Sequence, residues 1–179
     1  MEQETTILIS ELQQYQPAAC QRLLSTYGPM VFRMVQRIVT CREDAEEVYQ
    51  DVFIKALRGI GSYDPRQASL NTWLNRIAYH ESLNFVRGQK PTILYIEEND
   101  LGIDTMEVAD EATQDEQTIR QLEQALAKLP PHEQAIVSMF YYDNMSLADI
   151  AYVTGANPST IGSQLSRIRK KLYRIIKKR

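Results

Sequence analysis

Apolar residues recur at intervals of three and four along most of the chain, and the runs break where glycine or proline falls. That spacing places them on one face of a helix with 3.6 residues per turn, whereas a half-buried strand needs strict alternation. Strand signals are scarce, so the pattern implies an all-α protein. From Pro17 to Val39 the stripe is Leu23, Leu24, Tyr27, Val31, Met34, Val35 and Ile38, and Gly28-Pro29 should end one helix and start another. In the next helix Thr40 and Glu43 form a capping-box pair, the acids Glu43, Asp44, Glu46 and Glu47 crowd the first turns, and Lys55 and Arg58 close the last. Gly59 and Gly61 stop it. Residues 61–69 read as a loop, and Ser69 caps a helix with the stripe Leu70, Leu74, Ile77, Ala78 and Phe85. Helix resumes near Glu116, breaks at Pro130-Pro131, and continues in three further segments.

Charge divides the chain more sharply than hydropathy does. Residues 1–90 carry ten basic and ten acidic side chains, residues 91–134 two and eleven, and residues 135–179 eight and two. The net charge of −3 therefore hides an acidic middle of −9 and a basic end of +6. A basic end is the electrostatic footprint of nucleic-acid binding. Residues 91–115 combine weak periodicity with heavy negative charge, which predicts a flexible acidic linker. The expected organisation is two small helical domains, 10–90 and 116–179, joined by that linker.

Several function classes are disfavoured. Cys20 and Cys41 are the only cysteines, and His80 and His132 lie in separate segments without metal-ligand spacing, so neither a structural zinc site nor a disulfide framework is expected. There is no GxxxxGK[ST], nucleophile elbow or clustered His/carboxylate site, so the expectation is a non-enzyme without cofactor or small-molecule substrate. No segment approaches the ~20 apolar residues needed to cross a bilayer. The start, MEQETTILISELQQ, lacks a basic, then apolar, signal sequence. The expected location is cytoplasmic, without membrane insertion.

The most specific local pattern is SLADIAYVTGANPSTIGSQLSRIRKKL. Ser146 and Asp149 cap a short helix, Thr154-Gly155-Ala156-Asn157 turns, and Pro158 opens a second helix behind Asn157. Ala151 is small where two helices touch, Gly155 supplies a positive φ, and Ile161 packs back. This is helix-turn-helix spacing. On the second helix Ile161, Leu165, Ile168, Leu172 and Ile175 share one face, while Ser159, Ser163, Ser166, Arg167, Lys170 and Arg174 share the other. Hydroxyls early and cations late suit a recognition helix that reads base edges first and meets phosphate later.

The acidic helix carries a second pattern. Ala45, Val48, Tyr49, Val52, Phe53 and Ala56 form its apolar face. Opposite lie Glu43, Glu47, Gln50, Ile54 and Arg58, flanked by Asp51 and Leu57. Ile54 and Leu57 read as an outward apolar pair framed by acids and an amide, which suits a protein-docking surface. Stray surface apolars are the competing reading.

EDAEEVYQDVFIKAL resembles the second conserved region of the extracytoplasmic-function (ECF) sigma factors. SYDPRQASLNTWLNRIAYHESLNFVR is similar to that family's promoter-melting and −10-reading segment, and LPPHEQAIVSMFYYDNMSLADIAYVTGANPSTIGSQLSRIRKKL to its −35-reading domain. The resemblance implies core RNA polymerase and promoter DNA as partners, together with an anti-sigma factor. It implies polymerase contact through Asp44, Glu47, Gln50, Asp51 and Ile54. Tyr63, Trp73, His80 and Asn84 fall near the −10 element, although Trp73 also reads as a core aromatic and Asn84 as a solvated amide. Ser159, Thr160, Ser163, Arg167 and Lys170 fall near the −35 element. Gly162 and Gln164 stand where relatives often carry basic residues, and His80 where many carry Asn. The alternative is an ordinary helix-turn-helix regulator with an N-terminal sensing or dimerisation domain.

Overall fold

A computed structural model describes residues 2–89 and 114–177. The acidic stretch 91–115, expected as a linker, lies outside these residues except for its last two positions. The described residues form eight α-helices: α1 (Glu2–Gln13), α2 (Pro17–Gln36), α3 (Arg42–Gly59), α4 (Leu70–Gln89), α5 (Gln114–Ala127), α6 (Pro131–Tyr141), α7 (Leu147–Thr154) and α8 (Pro158–Lys177). A 3-10 turn, Ile60–Ser62, follows α3. No strand occurs among them, as the all-α expectation required.

Two expected features differ, and one helix was not anticipated. Residues 17–36 form one helix that runs through Pro29, not two. Proline removes one hydrogen bond and clashes with the carbonyl four residues back. Burial of Leu23, Val31, Met34 and Val35 along a single face keeps the two parts in line. The N-cap of α3 is Cys41, not Thr40, and its side chain makes no capping bond. Instead the Cys41 thiol donates to Glu43 at 3.1 Å. Finally, α1 occupies the N-terminal residues and buries Leu8 and Leu12, one turn apart, against α2 and the 3-10 turn. Glu11 on α1 pairs with Arg22 on α2.

The caps at Ser69, Ser146 and Gly155 form as read. Ser69 Oγ accepts the Thr72 N–H at 3.1 Å, and Ser146 Oγ accepts that of Asp149 at 3.1 Å. Gly155 closes α7 at φ 76°, a left-handed conformation that a Cβ would strain.

The two helical halves do not stand apart. One continuous apolar core runs from α1 to α8, and α4 packs against α7 about as extensively as against α2 or α3. Four polar contacts join the halves. Arg37, just past α2, donates to both Asp143 carboxylate oxygens at 2.6 and 3.4 Å. Thr72 Oγ1 donates to Asp149 at 3.2 Å. Arg76 donates to the Tyr152 carbonyl at 2.6 Å and lies 4.8 Å from that tyrosine's ring centroid. His80 is hydrogen-bonded to the Val153 backbone.

Gly28 offers a test of the α2–α3 packing. A Cβ there would sit 2.7 Å from the Tyr49 hydroxyl. Phe32 and Phe53 hold the Tyr49 ring edge-on, at 5.5 and 5.0 Å between centroids, so it has little room to retreat. Gly28→Ala is expected to destabilise the fold by about 1–3 kcal/mol in urea titrations. Tyr49→Phe should recover part of that loss.

Candidate polymerase- and DNA-binding surfaces

Helix α3 presents two unlike faces. Ala45, Val48, Val52, Phe53 and Ala56 are buried, so the core accounts for its apolar stripe. Glu47, Gln50 and Asp51 lie exposed on the other side, Asp44 is half-buried beside them, and Ile54 keeps 45% of its surface in solvent. Leu57 does not join Ile54 outside. It is partly buried and packs on the core. The outward apolar element is therefore Ile54 alone among acids and an amide.

The loop after α3 is a tied structure. Asp64 accepts from the Arg66 backbone N–H at 3.0 Å and from its guanidinium at 2.9 Å. The Arg66 bonds hold the Asp64 carboxyl at a pKa of about 2, below the ordinary 3.8. Tyr63 is half-buried, donates its hydroxyl to the Ala68 carbonyl at 3.0 Å, and meets Trp73 edge-on at 5.5 Å. Burial pushes the Tyr63 phenol above its ordinary value. Trp73 retains only 9% exposure. Tyr63 thus forms the outer layer of an aromatic pair and Trp73 the inner one. A cleft of roughly 520 Å³ opens beside them, lined by Thr5, Thr6, Ile9, Tyr63, Arg66 and Ser69. The α1 side of that cleft lies ahead of the recognised motifs, so no sequence signal pointed to it.

Along α4 the candidates separate. Asn84 is exposed. His80 is half-buried against α7, in the same row as Thr72 and Arg76. Residues spaced by four share one helical face, so this row is a single polar stripe turned toward α7. Burial and the neighbouring Arg76 charge hold the His80 pKa below its ordinary 6.5.

On α8 the apolar face is buried through Ile161, Leu165 and Ile168, while Ser159, Thr160, Ser163, Arg167 and Lys170 are exposed. Ser163 Oγ donates to the Ser159 carbonyl at 3.0 Å. The helix-turn-helix is therefore fully formed, with its polar face open. Among the described residues no group of histidine, cysteine and acidic side chains could hold a metal ion, and no helix is long and apolar enough to cross a membrane.

Sequence models of Sigma-70 region 2 and Sigma-70 region 4 match residues 23–92 and 119–172. RNA polymerase sigma factor YlaC of Bacillus subtilis is 31% identical over 134 residues, which cover 73% of this chain and 76% of YlaC. ECF RNA polymerase sigma factor SigM of Mycobacterium tuberculosis is 29% identical over 160 residues, covering 88% of this chain and 77% of SigM. The chain belongs to the ECF sigma factors of the sigma-70 family. CnrH, solved with the cytosolic domain of CnrY, shares the fold at TM-score 0.66, with 18% identity over 96% of both chains. RpoE of Bartonella quintana, solved with the anti-sigma factor NepR, does so at TM-score 0.62, with 22% identity over 88% of this chain and 96% of RpoE. This sigma factor binds core RNA polymerase and directs promoter-specific initiation. A free-standing helix-turn-helix regulator would have no use for the region 2 match.

The contact between α4 and α7 carries a pH dependence. Arg76, Glu81 and Arg87 of α4 act on His80, and α7 presents the Val153 backbone to it and Asp149 farther along the row. Because packing lowers the His80 pKa, the separated halves take up a proton more readily. The contact is therefore fully supported above pH 6.5 and weakens as pH falls below it. NMR titration is expected to place the His80 midpoint below 6.5 in the parent and closer to 6.5 in Arg76→Ala. An identical midpoint in both would contradict this account.

Proposed function

We propose that α3 is the main dock for core polymerase, with Asp44, Glu47, Gln50, Asp51 and Ile54 as its contact residues. The exposure of Ile54 among Glu47, Gln50 and Asp51 carries this assignment, because the rest of the α3 apolar surface is already buried in the fold. A lone apolar side chain ringed by polar groups suits the centre of a small protein contact.

The remaining work divides between the two parts of the chain. Residues 10–90 serve polymerase binding and −10 recognition with melting, residues 91–115 the connection, and residues 116–179 the −35 element. Tyr63 of the tied loop holds an unstacked −10 base of the non-template strand, with Trp73 as its support from below. His80 and Asn84 of α4 approach that strand and the adjoining duplex. Ser159, Thr160 and Ser163 approach −35 base edges, and Arg167 and Lys170 the later base or phosphate positions. Unstacking a base costs a few kcal/mol, which local contacts must offset. Positioning and strand capture suffice for this work, so no catalytic residue or cofactor is assigned to the chain. It works where core polymerase and promoter DNA are, in the cytoplasm. An anti-sigma factor is its proposed restraint, in keeping with the NepR complex of RpoE.

Run-off transcription with purified core polymerase tests the proposal. The parent should give discrete start sites. Gln50→Ala with Ile54→Ala should lower core affinity by roughly 1–4 kcal/mol while helicity is preserved. A folded double variant that binds core normally removes α3 as the dock. Arg167→Ala should weaken −35 duplex binding. It should flatten the salt dependence by about one unit of slope if it meets phosphate, or lose about 1–3 kcal/mol at one base position if it reads guanine. Unchanged binding and salt slope would remove Arg167 from the contact.

A further inference from the structure

We propose that α1 completes the site in which Tyr63 holds an unstacked base, and that the Thr5 and Thr6 hydroxyls of α1 read the edge of that base. The inference rests on the reading of the Tyr63 loop as the base-capturing loop.

The cleft beside Tyr63 supports it. One wall is the tied loop and the start of α4, through Tyr63, Arg66 and Leu70. The other is α1, through Thr5, Thr6 and Ile9. At roughly 520 Å³ the cleft falls in the range of about 300–1,000 Å³ usual for small-molecule sites. Trp73 backs the Tyr63 ring edge-on at 5.5 Å and is almost wholly buried. A base packed against the open side of Tyr63 therefore lies between the loop and α1.

The two walls differ in chemistry. On the loop side the polar groups hold the loop itself. The Tyr63 hydroxyl donates to the Ala68 carbonyl at 3.0 Å, and Ser69 Oγ accepts the Thr72 N–H at 3.1 Å. The Arg66 guanidinium donates to both Asp64 carboxylate oxygens at 2.9 Å, so the pair carries no net charge to draw an anion inward. An uncharged ring suits such a wall. On the α1 side Thr5 and Ile9 are four residues apart and share a helical face, with Thr6 beside them. A hydroxyl has one donor and two acceptor positions, so a bond within its own helix leaves it able to bond a base edge as well. Burial of Leu8 and Leu12 against α2 and the 3-10 turn, with the Glu11–Arg22 pair, fixes where α1 holds these groups. The loop thus supplies an aromatic surface, and α1 supplies the groups that tell one base from another.

The test uses the full chain with core polymerase, on a promoter mapped by sequencing run-off products. Bubble promoters carrying 2-aminopurine at successive non-template −10 positions locate the captured base. Its emission should change at one position with the parent and lose that change with Tyr63→Ala. Promoters with each of the four bases at that position then compete for the holoenzyme, and the parent is expected to prefer one. Thr5→Val with Thr6→Val keeps the side-chain shape and removes both hydroxyls. It should reduce the preference about five- to thirtyfold, while preferences at the other −10 positions and −35 duplex binding stay within about twofold. Thr5→Ser with Thr6→Ser keeps the hydroxyls and should retain the preference. Circular dichroism confirms that each variant is folded. Should the valine pair fail to fold, Thr6→Val alone, at an exposed position, should still reduce the preference about two- to fivefold. A folded valine variant that keeps the parental preference overturns the inference. So does one that weakens all four bases equally or alters the preference at another position, and so does a parent that captures the base without preferring any. A parent with no Tyr63-dependent position removes the reading of the loop, and the inference with it.

Discussion

Helix α4 is held from two sides by different physics. Its apolar stripe, including Leu70, Leu74 and Ala78, is buried with α2 and α3. Its polar stripe, Thr72, Arg76 and His80, is bonded to α7. The first side is a generic hydrophobic contact, strong and non-directional. The second is directional, because each donor meets one named acceptor near the start or end of a short helix. An eight-residue helix is too short to be stable alone. Part of what holds α7 in shape, its C-terminal cap, comes from the other half of the chain.

That division explains why the candidate surfaces differ in accessibility. Helices α3 and α8 each bury one face and release the other, so Gln50 and Arg167 face solvent whatever the two halves do. Helix α4 has two faces engaged, and of its candidate residues Asn84, farther along it, is the exposed one. The Tyr63 loop is a third case. It is exposed in position yet rigid in construction, since Asp64 ties the turn to Arg66 and Tyr63 bonds back to Ala68. A loop tied in this way would lose little conformational entropy in the base capture proposed for it, which is what preorganisation contributes to binding.

Much of this was legible in the sequence because the signals were local. Ser69, Ser146 and Gly155 each act within a few residues of themselves, and all three behave as their spacing implied. The exposed face of α8 followed from its 100° periodicity. What escaped was long-range. Arg37 meets Asp143 across 106 residues and Arg76 meets Tyr152 across 76, and neither pairing leaves a periodic trace. The continuity of α2 through Pro29 escaped for the same reason, since tertiary burial outweighed a local breaker. Leu57 was misplaced because it sits at the flank of the α3 wheel, where tertiary packing and not periodicity decides burial. Helix α1 left only Leu8 and Leu12 as its signature, too short a pattern to separate from chance.

The α4–α7 contact combines apolar burial with three polar contacts, and the Arg37–Asp143 pair lies at its margin. A neutral hydrogen bond exchanges for bonds to water at a net gain near ~1 kcal/mol, and one to a charged group, as at Arg76 and Asp149, contributes about 1.5–3 kcal/mol. Such contacts fix which faces meet more than how tightly they hold. Separating α4 from α7 would expose part of the shared apolar core as well as the polar stripe, so a form with the two helices apart is costly. A ligand shifts such an equilibrium only by its difference in affinity for the two forms. A docking face equally open in both forms, as α3 is, supplies little difference by itself. Any bias must come from surface that this packing covers, namely the polar stripe of α4 and the C-terminal end of α7. A partner that engages α3 alone therefore has little leverage on the α4–α7 contact.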